Sequence, residues 1–494
     1  MARLDRYDAL DLDTYRRIVL EGEPVEVDDA LLEHVDRRRE ALLRHLGTGV
    51  QAYGVTTGLG YLASEPVREQ DQPALQRSLL TARASGFGPS LPSDIVRGGM
   101  LLRLAGFLSG LPGVSSALCR FLVDRLNSGW SPVVPSGPYG ASGEIAPLAH
   151  LFQTFIGEGL VDLDGERLSA REALARSGVE AYEPGPKEGL ALVNGSPLAT
   201  ALAVRLGDRG GRLHEQATSV AALAIALVGA SARPFALRVG TLGADPAEEE
   251  IARRLLDLLA RGARWDSRRQ PPVSFRVVPQ VHGAMLGSLD ELTTTIERRL
   301  RAVTDSPVFL DGQAAEPEGL YPSGAFHAIG VTLRLEAVAV AAAHVTNLVE
   351  KRLHRLLDAR FSSLPEQLAR DPGRQAGAVS LHKAVVGLAA ESRLLAAPAS
   401  VHAFDTSAGH EDVQALSFLA ADRLDAILDN LESALACELV ALRQAAHLSA
   451  RPLDAPLLVR MVARLAEIVA PIDEDRTLSP DVERVVALLR AGEL

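Results

Sequence analysis

Cysteine and aromatic residues are scarce in this chain. Only two cysteines, Cys119 and Cys437, occur in 494 residues, far apart and without a CxxC spacing. This leaves no disulfide framework and no cysteine-based zinc site, and it fits a reducing compartment. Aromatic residues make up 4% against 47% hydrophobic residues in all. An interior rich in Ala and Leu but poor in rings favours closely packed helices over a β-sandwich. Basic charge is not in excess either. The net charge of −12 argues against nucleic acid as the main partner. The charged start, "MARLDRYDALDLDTYRR", lacks the apolar core of a signal segment. The most apolar run, Ala217 to Ala232, is short for a bilayer span and rich in small residues, so it reads as a buried helix. The expectation is a soluble, cytoplasmic protein with neither nucleic-acid nor membrane partner.

Up to Gly195 the chain mixes short segments with turns, as in "YGVTTGLGYLA" and "GWSPVVPSGPYG". Four long helical patterns come after it. The first opens at Ser196-Pro197, an N-cap followed by Pro at the first helical position. The others run from Gln280 towards Asp305-Ser306-Pro307, from Gly330 to Phe361, and from Val413 to Ala446. Irregular segments at 180–189, 311–319 and 371–377 are rich in Pro, Gly and charge, as surface loops or lids are. The reading is a mainly α protein. An irregular N-terminal region, 1–195, joins a long antiparallel helix bundle, 196–494.

The segment "GPYGASGEIAPLAH", Gly137 to His150, surrounds a small Ser with Gly and Pro. A glycine amide is the least hindered of backbone nucleophiles. If the Gly143 nitrogen attacks the Ala141 carbonyl carbon, a five-membered ring closes and loses water. Loss of a second water from Ser142 leaves an exocyclic methylidene, a strong electrophile made from backbone alone. The alternative for so common a tripeptide is an ordinary loop.

The surroundings favour the first reading. "GASGEIAPLAH" resembles the electrophile-forming segment of the histidine, phenylalanine and tyrosine ammonia-lyases and their aminomutase relatives. In that family Ala-Ser-Gly cyclises autocatalytically to methylideneimidazolone (MIO). Other family-like segments occur in matching order. They are "AYGVTTGLG", "LQRSLLTARASGFG", "GPKEGLALVNG", "RVVPQVHGA", "TDSPVF", "GAFHA", "EKRLHRLLDARFSSLP" and "TSAGHED". The resemblance spans roughly residues 50 to 415. It implies a mostly helical fold and a homotetramer whose active sites draw loops from three subunits. It also implies MIO from Ala141, Ser142 and Gly143, with no metal or dissociable cofactor.

The resemblance further implies roles for single residues. Tyr53 matches the family's base; alternatively it packs a turn. A phenol serves as a base only where its surroundings favour the phenolate. Asn194 matches a partner of the prosthetic ring or substrate, and it could equally cap a helix entry. Arg276 matches the guanidinium that grips the substrate carboxylate; the alternative is a surface ion pair. Phe326 matches a ring beside MIO, or else packs a core. Glu411 matches an acid near the substrate amine or side chain. Gln270 and Gln280 match polar residues around the site. His282 and His327 read as structural histidines rather than metal ligands.

Several positions depart from the family pattern. Val273 stands where the second active-site Tyr belongs, and Pro271 where an Asp is usual. Glu144 replaces Asp, Tyr139 enters the "GPYG" turn, and Thr56, Ser306 and Ala325 replace Asn. His410 replaces Gln. At the selectivity pair stand Ala82 and Arg83, which faces either the pocket or solvent. The resemblance therefore implies an ammonia-lyase or 2,3-aminomutase acting on a non-standard α-amino acid, with polar or anionic ones among the candidates. The alternative is a divergent member without canonical lyase activity, either an MIO-free enzyme or a non-catalytic binding or scaffold protein.

Overall fold

Small residues set how closely the helices approach one another. In the computed structural model nearly every side of helix Ser93–Leu108 is buried. A methyl group at Gly98 would lie 1.9 Å from the Tyr15 hydroxyl, and one at Gly99 would lie 2.5 Å from Leu198. The structure describes all residues except 141, 266–269, 314, 402 and 403, and the backbone alone at 261.

The fold is mainly α. The four long helices run Pro197–Val228, Val278–Leu300, Ile329–Leu357 and Ser417–Leu448. The last begins four residues later than the sequence suggests. Leu416 adopts a left-handed backbone at φ +50°, which a continuing right-handed helix excludes. Two helical stretches, Glu188–Val228 and Ile329–Leu357, are long and apolar enough to cross a bilayer. In the first, 83% of the most apolar window is buried, as expected of a core helix.

Two compact units form. One contains Met1–Arg205, Thr293–Leu333 and Ala399–Ala421; the other contains Leu206–Leu292, Arg334–Pro398 and Asp422–Leu494. They do not follow a single cut at 195/196, because two later segments return to the first unit.

The first unit adds three small sheets to its helices. Ala2–Leu4 pairs in parallel with Val25–Val27. Leu160–Leu163 lies between Ser131–Pro132 and Glu166–Ser169, antiparallel to both. Val308–Leu310 pairs antiparallel with Gly319–Tyr321. Both cysteines are buried and free.

In the second unit Gly210 lies near Leu289 and His214 bonds the His282 carbonyl, so those two helices run antiparallel. Helix Val379–Leu395 also runs antiparallel to Ile329–Leu357: Arg393 meets Asn347, and His382 meets Glu350. Arg352 makes a two-pronged pair with Glu438 at 2.9 and 2.8 Å, both fully buried.

Candidate active site

Ser142 and Gly143 are anchored by the residue next to them, Glu144, which is buried. Its carboxylate accepts the amides of Leu198 at 2.7 Å and Ala199 at 2.6 Å. These are free N–H groups of the first turn of helix Pro197–Val228, where negative charge is favoured. Pro197 opens that helix as expected, but Ser196 does not cap it. The Ser196 hydroxyl accepts from Arg299 instead, and Glu144 takes over the capping. Burial pushes the Glu144 carboxyl up to about 8, while the two amides pull it back. The Glu144 amide also donates to Gly195 O at 3.2 Å.

Ser142 makes two bonds to one later loop. Its amide donates to Glu411 Oε2 at 3.0 Å, and its hydroxyl donates to Val413 O at 2.8 Å. Glu411 Oε1 accepts from Ser407 Oγ at 3.0 Å. A methyl group on Gly143 would touch Phe326 at 3.4 Å and Gly195 O at 3.5 Å. Phe326, Ser142, Gly143 and Tyr139 line one cleft, whose free space of about 20 Å³ is little more than one water. Ala141 lies outside the described residues.

The Tyr53 loop meets the same 407–411 turn. The Gly60 amide donates to the Tyr53 phenol oxygen at 2.9 Å. A methyl group on Gly60 would lie 3.9 Å from Ser407 Cβ. Gln76, which is buried, fixes the loop from below. It donates to Gly54 O at 2.8 Å and accepts the Leu190 amide at 3.2 Å.

Asn194 ends the short helix Glu188–Val193 in an extended conformation, and its amide group donates to Ser306 O. Gly195 sits at φ +134°, with the Arg103 guanidinium and Thr304 Oγ1 each 2.8 Å from where a Cβ would be. Only glycine fits there.

Beneath Asn194 and Gly195 lies a charged cluster that no sequence motif singled out. Asp305 accepts from Lys187 Nζ at 2.6 Å and from Arg103 at 3.0 Å. All three are buried. Arg103 also donates through Nε to Ala191 O at 2.8 Å and lies 4.7 Å over the Phe107 ring. Burial lowers the pKa of both cations, and Asp305 opposes that. Lys187 and Asp305 lie in the family-like segments "GPKEGLALVNG" and "TDSPVF", but nothing in either segment marks them as partners.

Ala82 is exposed and ends helix Gln72–Thr81; Arg83 is half-buried. The oxygens of Glu411 accept from Ser142 and Ser407, and neither is bonded to Arg83 among the described residues. The described residues thus give no internal Arg83–Glu411 pair. Tyr139 donates to Pro135 O at 2.5 Å and packs edge-on against Phe418 at 5.3 Å. Burial raises its phenol to about 12, so it is a poor substitute for a missing acid or base. Phe326 and His327 are half-buried, and His410 is exposed.

The remaining candidates belong to the second unit. Val273 is 56% exposed and starts the short turn Val273–Arg276. Arg276 is half-buried, and its Nε has no hydrogen-bond partner among the described residues. A guanidinium with a spare donor suits an anionic ligand. Gln280 donates to Glu248 at 3.0 Å, and Gln270 is exposed. His282 is buried against Thr218 Oγ1 at 2.9 Å. Burial holds its pKa well below the ordinary value.

Residues 10–467 match the family described as aromatic amino acid lyase. The chain is 34% identical over 480 residues to a histidine ammonia-lyase of Symbiobacterium thermophilum, covering 96% of this chain and 94% of that one. The structure of tyrosine aminomutase from Streptomyces globisporus superposes with a TM-score of 0.91 at 27% identity, covering 100% of this chain and 97% of the other. Ergothionase from Treponema denticola shares the fold, with a TM-score of 0.93 at 22% identity over 99% of both chains.

Proposed function

The chain belongs to the aromatic amino acid lyase family, and we propose that it is an ammonia-lyase or 2,3-aminomutase for a non-standard α-amino acid. Its electrophile would be MIO, built from Ala141, Ser142 and Gly143. The donor set around Ser142 suits that group. Ring closure removes the Ser142 N–H hydrogen with the first water and the Ser142 hydroxyl with the second. Glu411 Oε2 already accepts that N–H and Val413 O that hydroxyl. Phe326 and Gly195 O close off the flank of Gly143. When formed, the group supplies a methylidene carbon that takes up the substrate amine and makes it a leaving group.

The chain's own residues do the rest. Arg276 grips the substrate carboxylate with its two-pronged fork. Tyr53 removes the β-proton. The Gly60 amide fixes the position of the phenol oxygen. Glu411 faces the amine, Asn194 orients the site, and Phe326 packs against the reacting segment. Val273 supplies no proton and no hydrogen bond where relatives carry a phenol. Ala82 leaves room, and Arg83 adds a fixed positive charge near the far end of the substrate. Those two residues support a polar or anionic side chain. A lyase releases ammonia and the unsaturated acid; an aminomutase returns the amine to the β-carbon.

We place this activity in a cytoplasmic homotetramer. Exposed Val340, Val386 and Leu394 supply apolar helix surface for such an assembly. The observation that carries the reading is the Ser142 amide on Glu411, in a turn that also meets the Tyr53 loop. The test is a panel of α-amino acids assayed for ammonia release and for β-amino acid formation. Turnover of polar or acidic members, with weak or no turnover of histidine, phenylalanine and tyrosine, is expected. Efficient turnover of any of those three overturns the substrate assignment.

A further inference from the structure

The second unit holds a side-chain cluster that the proposed reaction does not use. Glu350 and His354 stand one turn apart on helix Ile329–Leu357, so both project from the same face. His382 faces them from helix Val379–Leu395. One ligand atom from each of the three lies within 4.8 Å of the others. His382 Nε2 is 2.9 Å from Glu350 Oε1. The two imidazole rings lie 4.9 Å apart, tilted by 32°. The other oxygen of Glu350 is held by Lys351 at 2.6 Å, which fixes the carboxylate as outer partners fix metal ligands.

We propose that Glu350, His354 and His382 form a binding site for a divalent transition cation, best matched by zinc. Two imidazole nitrogens and one carboxylate oxygen are a donor set that zinc accepts, with water in the fourth position. Hard cations such as magnesium favour oxygen donors. Tetrahedral bonds of about 2.0–2.1 Å place ligand atoms about 3.3 Å apart. Glu350 and His382 are already close to that spacing. His354 is exposed and reaches it by rotating its side chain. The bound ion would clip the two antiparallel helices together. The expectation of no metal rested on the sparse cysteines, on His282 and His327, and on the family resemblance. The Glu-x-x-x-His spacing at 350–354 is the signal within the sequence, and His382 completes it only in three dimensions.

The test uses the full-length protein, stripped with a chelator, then titrated with zinc by calorimetry and followed by thermal unfolding. One saturable zinc site per chain, with a rise in Tm that magnesium does not reproduce, is expected. His354→Ala, an exposed change, should weaken zinc binding at least tenfold and remove the Tm rise, and His382→Ala should do the same. Cobalt bound to the wild type should show the visible absorption of a tetrahedral site, absent from both variants. An equal zinc-dependent Tm rise in His354→Ala, or no zinc binding beyond that of magnesium, overturns the proposal. Neither result bears on MIO or on the amino acid reaction.

Discussion

The amide of Ser142 donates to Glu411 Oε2 across 3.0 Å, joining residues 269 positions apart in the chain. This bond sets a carboxylate against the hydrogen that would leave in the proposed closure of the Ala141–Gly143 ring. The same carboxylate is steadied from its other oxygen by Ser407, beside the loop that carries Tyr53. In the proposed mechanism, ring formation and proton transfer on the substrate would thereby be tied to one turn.

Glu411→Gln keeps the shape of the side chain but removes its basicity and puts an NH2 group among donors. The rate of ammonia release or amine migration is expected to fall by about 10²–10⁴-fold, with an unchanged circular dichroism spectrum. Steady-state kinetics on the substrate found in the amino acid panel check this. A rate within a few-fold of wild type would leave Glu411 without a chemical role.

Asp305→Ala strands Lys187 and Arg103 in a buried site without their shared anion. The expected cost is about 3–5 kcal/mol of stability, read from denaturant unfolding. Asp305→Asn, which retains hydrogen-bonding capacity but loses the charge, should cost less than Asp305→Ala. A loss below about 1 kcal/mol in the Ala variant would mean that the cluster is solvated.

Glu144 gives a pH dependence with a definite sign. Its carboxyl is raised from the ordinary 4.5 to about 8, chiefly by burial. The folded state therefore keeps a proton that the unfolded chain has already lost. Its contribution is full below about pH 4.5 and is lost as pH rises through about 8. Glu144→Gln cannot titrate, although its NH2 group opposes one of the two helix amides and lowers stability at every pH. The stability of wild type minus that of Glu144→Gln should decline between about pH 5 and 8 in paired urea titrations. A difference that rises over that range would show that the carboxylate form dominates at the helix terminus.

Arg83→Leu tests the far end of the substrate site. If Arg83 anchors an anionic group there, the variant should bind the native substrate more weakly by about 2–5 kcal/mol. Calorimetry on an inactive Ser142→Ala background separates binding from turnover. Unchanged affinity would place Arg83 in solvent.

The local parts of this architecture were legible because each rests on neighbours in sequence. Pro197 at a helix start, the long apolar periods and the Ala-Ser-Gly segment all announce themselves within a few residues. The capping of helix Pro197–Val228 was not legible. Ser196 is the right residue in the right place, but Arg299 occupies its hydroxyl and Glu144, from a distant segment, supplies the cap. The Arg103–Asp305–Lys187 cluster was hidden for the same reason, since its members are brought together only by the fold. Leu416 shows the opposite limit. A residue with high helix propensity takes a left-handed conformation and delays the last long helix to Ser417, which no local pattern announces. The candidate site residues were proposed by resemblance; their partners Gly60, Gln76 and Ser407 required the structure.

The central claim is that Ala141, Ser142 and Gly143 become an electrophile, and the mass of the 141–143 peptide tests it most directly. Peptide mass spectrometry of the purified wild type, with Ser142→Ala as the unmodified standard, reads the modification without needing the substrate. The account predicts a wild-type segment two waters lighter than its encoded sequence, and a Ser142→Ala segment at its full encoded mass. A wild-type segment at its full encoded mass would contradict it.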